Sequence, residues 1–227
     1  IGPTIGYMRL RDVRDIHLQS ILNEQRGMSF SHVTKLRMVM QEIFHQAYRS
    51  RLIAFDPSDG LKLPKNEKRS HRSITDEERT HILEVASYHP SGLWVLLILY
   101  TGLRPGEAAA LQWKDIDFDR NEIHVYKAIE SGTSTIKTPK TPAGIRDIPM
   151  RKDLRQLLWN SRGDPFSLLF PTRKGTIRSP TSVWKLWNSF AKELDLHMGA
   201  EEQDGKIVHH AIAPDLTLYC LRHTFCT

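Results

Sequence analysis

The sequence predicts a mostly α-helical protein with a small antiparallel β-sheet, an α+β fold. Residues 9–27 and 31–52 repeat apolar side chains at helical spacing. Around residues 116–149 the apolar period shortens to two, which is typical of strands with one buried face. Helical spacing returns over residues 153–162 and 180–194. These changes of period indicate a sheet enclosed by helices in the second part of the chain.

Composition is typical of a globular chain with an anionic partner. The 227 residues include 40% hydrophobic and 26% charged residues, and the net charge is +6. This balance favours nucleic acid as the partner. The longest apolar run, residues 93–99, is too short to span a membrane. Cys220 and Cys226 have neither zinc-ligand spacing nor the number that a disulfide framework needs, which fits a reducing cytoplasm.

A basic segment divides the chain. Residues 66–73 are polar and rich in lysine and arginine, and we interpret them as a linker between a helical domain over residues 1–65 and a second domain over residues 74–227. Such a strap can lie along a duplex backbone. The first residue is not Met and the last helical pattern stops early, so we expect a chain truncated at both ends.

Helix-start and turn signals define the elements of the second domain. Thr75 and Glu78 form a capping box that should open a helix ending near Tyr88. We interpret residues 199–213 as irregular. The other expected elements are helices over residues 91–100 and 105–112 and from 216 onward, strands around a turn at 119–121, and a hairpin pairing 133–140 with 144–149.

Thr-Gly-Leu-Arg-Pro-Gly-Glu at residues 101–107 predicts a corner between two helices. Gly102 ends the first helix, and Pro105 suits the first turn of the next. We expect Glu107 to orient Arg104 or the local backbone. A guanidinium beside a helix N-terminus is a good anion site, although this segment alone is equally compatible with an ordinary surface arginine.

Two further cations lie in settings typical of phosphate ligands. Lys140 is at the tip of the second predicted hairpin, from which its side chain can reach a bound phosphate. Arg222 follows Tyr219 by three residues, so both share one helix face. Each residue alone is also compatible with a simple surface position. The adjacent His209 and His210 lack metal-ligand spacing, and no metal site is predicted.

Together these segments resemble the tyrosine recombinases, the phage integrase family. Residues 101–107 are similar to the family's first arginine box, and Leu-Arg-His-Thr-Phe at 221–225 is similar to its second. Pro-Lys-Thr at 139–141, followed by Ile-Arg-Asp-Ile-Pro at 145–149, resembles the strand pair that carries the active-site lysine. The segments occur in the family's order. The style is closest to integrases of integrative and conjugative elements (conjugative transposons).

The resemblance implies a helical core-binding domain and a mixed catalytic domain of the integrase type. It implies a site-specific recombinase that cleaves and rejoins DNA through a 3′-phosphotyrosyl intermediate to integrate and excise a mobile element. The implied partners are double-stranded attachment sites, bound by a synaptic tetramer in the bacterial cytoplasm in association with the nucleoid. No metal, small-molecule cofactor or membrane is implied.

Site residues follow from the same resemblance. Arg104 and Arg222 would stabilise the phosphate, and Lys140 would act as general acid. Tyr219 stands where the family usually has histidine, and we expect it to hydrogen-bond the phosphate. The family's nucleophilic tyrosine lies well downstream of the second arginine box. No nucleophile is therefore expected in this chain, which alone should be inactive.

DNA contacts are expected from both domains. His32 and Lys35 lie at the start of the second predicted helix, and Lys68, Arg69 and Arg72 lie in the linker. Two alternatives remain open. One is a catalytically inactive DNA-binding member of the family, and the other is an enzyme similar to type IB topoisomerases.

Overall fold

The computed structural model describes residues 2–65, 72–130, 135–139 and 144–227. The chain divides into two compact units, Ile1–Ser70 and His71–Thr227, and each unit has its own hydrophobic core. Helices predominate and the strands are short and antiparallel, which confirms the predicted α+β class. Among the helices in the described ranges, none has the length and hydropathy needed to cross a bilayer.

The first unit is helical. Its elements are α1 (Gly2–Ile5), a 3₁₀ turn (Leu10–Asp12), α2 (Asp15–Glu24) and α3 (Phe30–Arg49). The single helix predicted over residues 9–27 is therefore wrong, because extended residues separate the 3₁₀ turn from α2. Ser29 caps α3, because its hydroxyl accepts the His32 N–H at 3.2 Å. The core includes Leu18, Leu22, Val33, Met40 and Phe44.

The second unit is built around one apolar helix. Its helices are α4 (Asp76–Tyr88), α5 (Gly92–Thr101), α6 (Pro105–Ala110), α7 (Lys152–Asn160), α8 (Pro180–His197) and α9 (Leu218–Cys226). Helix α5 is buried on nearly every side and packs against α4, α7 and α9. The capping box of α4 is confirmed: Thr75 Oγ1 accepts the Glu78 N–H at 3.1 Å, and Glu78 Oε2 accepts the Thr75 N–H at 2.8 Å.

The strands of the second unit form small antiparallel sheets. They are β1 (Ile116–Asp117), β2 (Glu122–Val125), β3 (Ala128–Ile129), β4 (Ile136–Lys137), β5 (Arg146–Pro149), β6 (Glu201–Gln203) and β7 (Lys206–His209). Strand β2 lies between β1 and β5, and Ile123 pairs with both Ile116 and Ile148. These three isoleucines are buried. The sheet therefore contributes one apolar face to the core.

Two strand predictions were wrong. Strand β4 pairs with β3, and β5 pairs with β2, whereas the sequence suggested a hairpin of residues 133–140 with 144–149. Pairing with β2 buries Ile148 on the core face of that sheet. Residues 199–213, expected to be irregular, contain the β6–β7 hairpin. Its turn residues Asp204 and Gly205 have φ of 51° and 77°, as a two-residue type I′ turn requires.

Replacing Thr75 with alanine should destabilise the second unit by about 1 kcal/mol, because the variant loses the hydroxyl that caps α4. Urea unfolding followed by circular dichroism measures this change. Thr80→Ala is the matched control, since Thr80 is exposed and its hydroxyl donates to the Asp76 carbonyl within the same helix. Equal midpoints for wild type and Thr75→Ala would show that the cap contributes nothing.

Candidate active site

The connection between α5 and α6 positions Arg104. Helix α5 ends at Thr101, and Gly102 takes the left-handed region with φ of 61°. A Cβ added to Gly102 would lie 2.4 Å from Cδ1 of Phe225, so both the backbone angle and the close approach require glycine. Arg104 then adopts extended angles as the N-cap of α6, and Pro105 is the first helical residue. The predicted corner between two helices is therefore present.

Glu107 holds Arg104 in two places. The Glu107 side chain is only 4% exposed, whereas that of Arg104 is 59% exposed. Glu107 Oε2 accepts the Arg104 backbone N–H at 2.8 Å, and Oε1 accepts Arg104 Nη1 at 3.0 Å. The buried carboxylate thus orients both the backbone and the guanidinium of Arg104, which is the part that the sequence suggested for it.

A second guanidinium reaches Glu107 from β5. Arg146 donates from Nη2 to Oε2 at 2.8 Å and from Nη1 to Oε1 at 3.2 Å, a bidentate pair. Sequence reasoning did not assign this contact. The sequence contains only general indications of it. A buried carboxylate needs cationic partners, and Arg146 belongs to the strand motif that carries the family resemblance.

The charge of this cluster is set by the state of Glu107. Burial raises the pKa of the Glu107 carboxyl, but hydrogen bonds from Arg146 and Arg104 lower it by more, so the net pKa lies below the ordinary value. The carboxylate is therefore ionised at neutral pH. Two guanidiniums surround one negative charge, and the excess positive charge favours an anion in front of Arg104.

Arg222 reaches the same corner from α9. Its Nη1 donates to the carbonyl oxygen of Gly102, two residues before Arg104. The two predicted phosphate-binding arginines are thus anchored to one short turn. The two residues in this contact are 120 positions apart in the sequence. The packing of α9 against α5 brings them together.

Arg104 and Tyr219 line one cleft. Glu107 also lines it, and the lining residues belong to α6, α8, α9 and β3 or flank these elements. The Tyr219 side chain is exposed, one helical turn before Arg222. The other lining residues are mostly apolar: Pro105, Gly106, Ala128, Ile129, Glu130, Pro180, Val183, Trp184 and Leu218. The cleft therefore combines an apolar wall with a cationic end.

Other residues predicted for the site differ in what the structure records. Lys140, Lys68 and Arg69 lie outside the described residues, and their roles stay predictions. His32 and Lys35 are exposed on the first turns of α3, so their side chains are accessible. Contact of either residue with DNA stays a prediction.

Arg72 is engaged within the second unit. Its two Nη atoms donate to the Glu78 carboxylate at 2.8 and 2.7 Å, and Nε donates to Asp215 Oδ2 at 2.9 Å. These bonds tie the segment before α4 to the segment before α9. The hydrogen bonds from Arg72 lower the pKa of the Glu78 carboxyl more than burial raises it. The DNA contact proposed for Arg72 stays a prediction beside this structural role.

Comparison with known proteins identifies the family. Residues 72–227 match the phage integrase family. The chain belongs to the phage integrase family. The match covers the whole described second unit, including Arg104, Arg146, Tyr219 and Arg222, and so places the cleft within the family's characteristic domain.

Several members of the family are similar in sequence over much of the chain. A tyrosine recombinase XerC-like protein of Caldanaerobacter subterraneus is 25% identical over 97% of this chain and 61% of its own length. The ICEBs1 integrase of Bacillus subtilis is 32% identical over 59% of this chain and 38% of its own length. The transposase from transposon Tn916 of Enterococcus faecalis is 24% identical over 92% of this chain and 54% of its own length. The chain thus spans less than two thirds of these relatives.

Solved structures share the fold. The Tn1549 transposon integrase in complex with transposon right end DNA has a TM-score of 0.77 at 19% identity, covering 98% of this chain and 74% of that one. A lambda integrase tetramer bound to a Holliday junction has a TM-score of 0.66 at 19% identity, and the match covers 95% of this chain and 59% of that one. At these identities the likeness establishes the fold.

Glu107→Gln should reduce stability most at neutral pH and least in acid. Because the folded pKa of Glu107 lies below its unfolded value of about 4.3, the carboxylate's contribution is complete above that value and disappears as pH falls through the folded pKa. Urea midpoints measured from neutral to acidic pH report the difference from wild type. Exposed Glu77→Gln on α4 is the control. A pH-independent difference for Glu107→Gln would contradict an ionised Glu107.

Proposed function

We propose that this chain is the core-binding and catalytic part of a site-specific DNA recombinase that integrates and excises a mobile element. The observation that carries the proposal is the contact of Arg222, on α9, with the turn that holds Arg104, beside a cleft that Arg104 and Tyr219 line. Membership of the phage integrase family and relatives named integrase and transposase support it.

The proposed reaction exchanges one phosphate ester for another. A tyrosine hydroxyl attacks a DNA phosphodiester, the bond to the 5′-oxygen breaks, and a 3′-phosphotyrosyl bond forms. The tyrosine loses its proton and the leaving 5′-oxygen gains one. The 5′-hydroxyl of a partner duplex then reverses the attack. Because the number of phosphoester bonds is conserved, the exchange needs neither ATP nor metal. We assign the nucleophile to none of the residues of this chain.

Each cleft residue has a part in this exchange. Arg104 and Arg222 stabilise the charge of the pentacoordinate phosphate, and their anchored guanidiniums need little reorganisation to do so. Lys140 protonates the leaving 5′-oxygen. Tyr219 hydrogen-bonds a phosphate oxygen, since a phenol is a poor base at neutral pH. Arg146 contributes indirectly, because it holds the carboxylate that orients Arg104.

The proposed partners are double-stranded attachment sites, bound by both units of the chain. His32 and Lys35 contact the duplex from α3, and Lys68, Arg69 and Arg72 contribute positive charge from the linker segment of the sequence. The exchange takes place in a synaptic tetramer on bacterial DNA, within the cytoplasm and associated with the nucleoid. The lambda integrase tetramer on a Holliday junction, whose fold this chain shares, supports this assembly.

Arg104→Ala and Arg222→Ala should each lower the rate of DNA strand cleavage by at least ~100-fold and change the Kd for DNA only a few-fold, because a preorganised clamp acts in the transition state. Cleavage of a nicked suicide site is measured with a form of the protein that carries the family's nucleophilic tyrosine. Arg162→Ala is the matched control, since Arg162 stacks on Phe118 and Trp159. Wild-type cleavage by either cleft variant would overturn the assignment.

The same preparation separates the two alternatives. A protein that binds its site but forms no covalent complex would be an inactive DNA-binding member of the family. A protein that relaxes supercoiled plasmid without any partner site would act as a topoisomerase of the IB type. Strand exchange that requires two attachment sites supports the recombinase.

Lys35→Ala should weaken DNA binding and make the slope of log K against log salt shallower by about 0.9, the release expected for one phosphate contact. Fluorescence anisotropy over a salt series measures the slope. Gln46→Ala on the same helix is exposed and uncharged, so it serves as the control. An unchanged slope would exclude a phosphate contact by Lys35.

A further inference from the structure

We propose that His81, Glu84 and His197 form a binding site for a divalent transition-metal ion, with Zn²⁺ as the best fit. His81 Nδ1 lies 3.2 Å from His197 Nδ1. Glu84 Oε2 lies 3.6 Å from His81 Nδ1 and 3.6 Å from His197 Nε2. One ligand atom from each residue can be chosen so that all three lie within 4.8 Å of one another.

These separations fit the coordination chemistry of zinc. Two imidazoles and one carboxylate are an established zinc ligand set, and bonds of about 2.0–2.1 Å at tetrahedral angles place ligand atoms roughly 3.3 Å apart. The His81 contacts with His197 and Glu84, at 3.2 and 3.6 Å, are within a few tenths of an ångström of that spacing. The Glu84 contact with His197 uses the other ring nitrogen of His197, and with one ligand atom from each residue the three atoms lie within 4.8 Å of one another. A fourth position remains for water. Imidazole nitrogens select zinc, copper or nickel over magnesium and calcium, which prefer oxygen.

The imidazole contact itself points to a ligand. At 3.2 Å the two Nδ1 atoms are in direct contact, so a nitrogen of each ring faces the same space. A metal ion there would receive a lone pair from each imidazole. Both histidine side chains are 29% exposed, and Glu84 is 54% exposed. The two imidazoles are thus partly buried, and the more exposed carboxylate leaves the cluster open to an ion from solvent.

The position of the site defines its effect. His81 and Glu84 lie three residues apart on one face of α4, and His197 is the last residue of α8. Two further contacts join α4 and its C-cap, His89, to α8. Tyr88 donates a hydrogen bond to Glu193 at 3.1 Å, and His89 contacts Ser189 at 3.3 Å. A bound ion would therefore cross-link α4 to the C-terminal end of α8, whereas the cleft residues Val183 and Trp184 lie near its N-terminal end. The ion would act on stability, outside the phosphate chemistry.

The test uses the untagged chain after removal of metal, titrated with ZnCl₂ at a fixed pH near neutral. At about 100 times the Kd, zinc should raise the melting temperature by roughly 5–10 °C. His81→Gln and His197→Gln should abolish the rise, and Glu84→Gln should weaken zinc binding at least ~10-fold. His209→Gln is the control, because exposed His209 lies 3.9 Å from Glu201 outside the cluster, and this variant should keep the full rise.

A second measurement does not depend on the variants. Co²⁺ added to the stripped wild-type chain should give the intense visible absorption of tetrahedral cobalt, which Zn²⁺ then removes. No zinc-dependent rise in wild type, an equal rise in His81→Gln, or only weak octahedral cobalt bands would overturn the site. In the form of the protein that carries the family's nucleophilic tyrosine, chelation should leave DNA cleavage unchanged well below the melting temperature, and loss of cleavage would overturn the structural role. These binding readouts do not require the chain to be a recombinase.

Discussion

The ion pairs of one buried carboxylate set the geometry of the cleft. Glu107 accepts hydrogen bonds from the backbone and guanidinium of Arg104 and from both Nη atoms of Arg146. A buried charge is costly unless its partners are all in place, so displacing Arg104 would also leave Glu107 less well paired. The exposed end of the Arg104 guanidinium is consequently held ready for an anion, which is the condition for stabilising charge without reorganisation.

The turn at Gly102 joins this pair to the hydrophobic core. Helix α5 is covered by α4, α7 and α9, and the burial of its apolar side chains fixes the position of its C-cap residue, Gly102. The Gly102 carbonyl accepts a hydrogen bond from Arg222, while the Phe225 ring fills the space that a side chain at Gly102 would need. Core packing and the placement of the two arginines are therefore parts of one arrangement.

Features that depend on neighbouring residues could be predicted, and features that depend on distant ones could not. The Thr75–Glu78 capping box and the Gly102–Pro105 corner involve contacts within a few residues, and both are present. The β6–β7 hairpin escaped prediction because its strands are mostly exposed and show no apolar alternation. The pairing of β5 with β2 depends on Ile148 meeting Ile123 across the sheet, which no local pattern reports.

The sequence by itself determined the α+β class, the family and the order of Arg104, Tyr219 and Arg222 along the chain, because motifs and apolar periods are properties of neighbouring residues. Only the tertiary structure decided which charged and polar side chains meet. It pairs Arg146 with Glu107, and it brings His81 to His197 across 116 residues. Contacts between polar side chains act over a few ångströms of space and can join residues far apart in the sequence. An apolar period shows which face of an element is buried, but it does not show which element packs against that face.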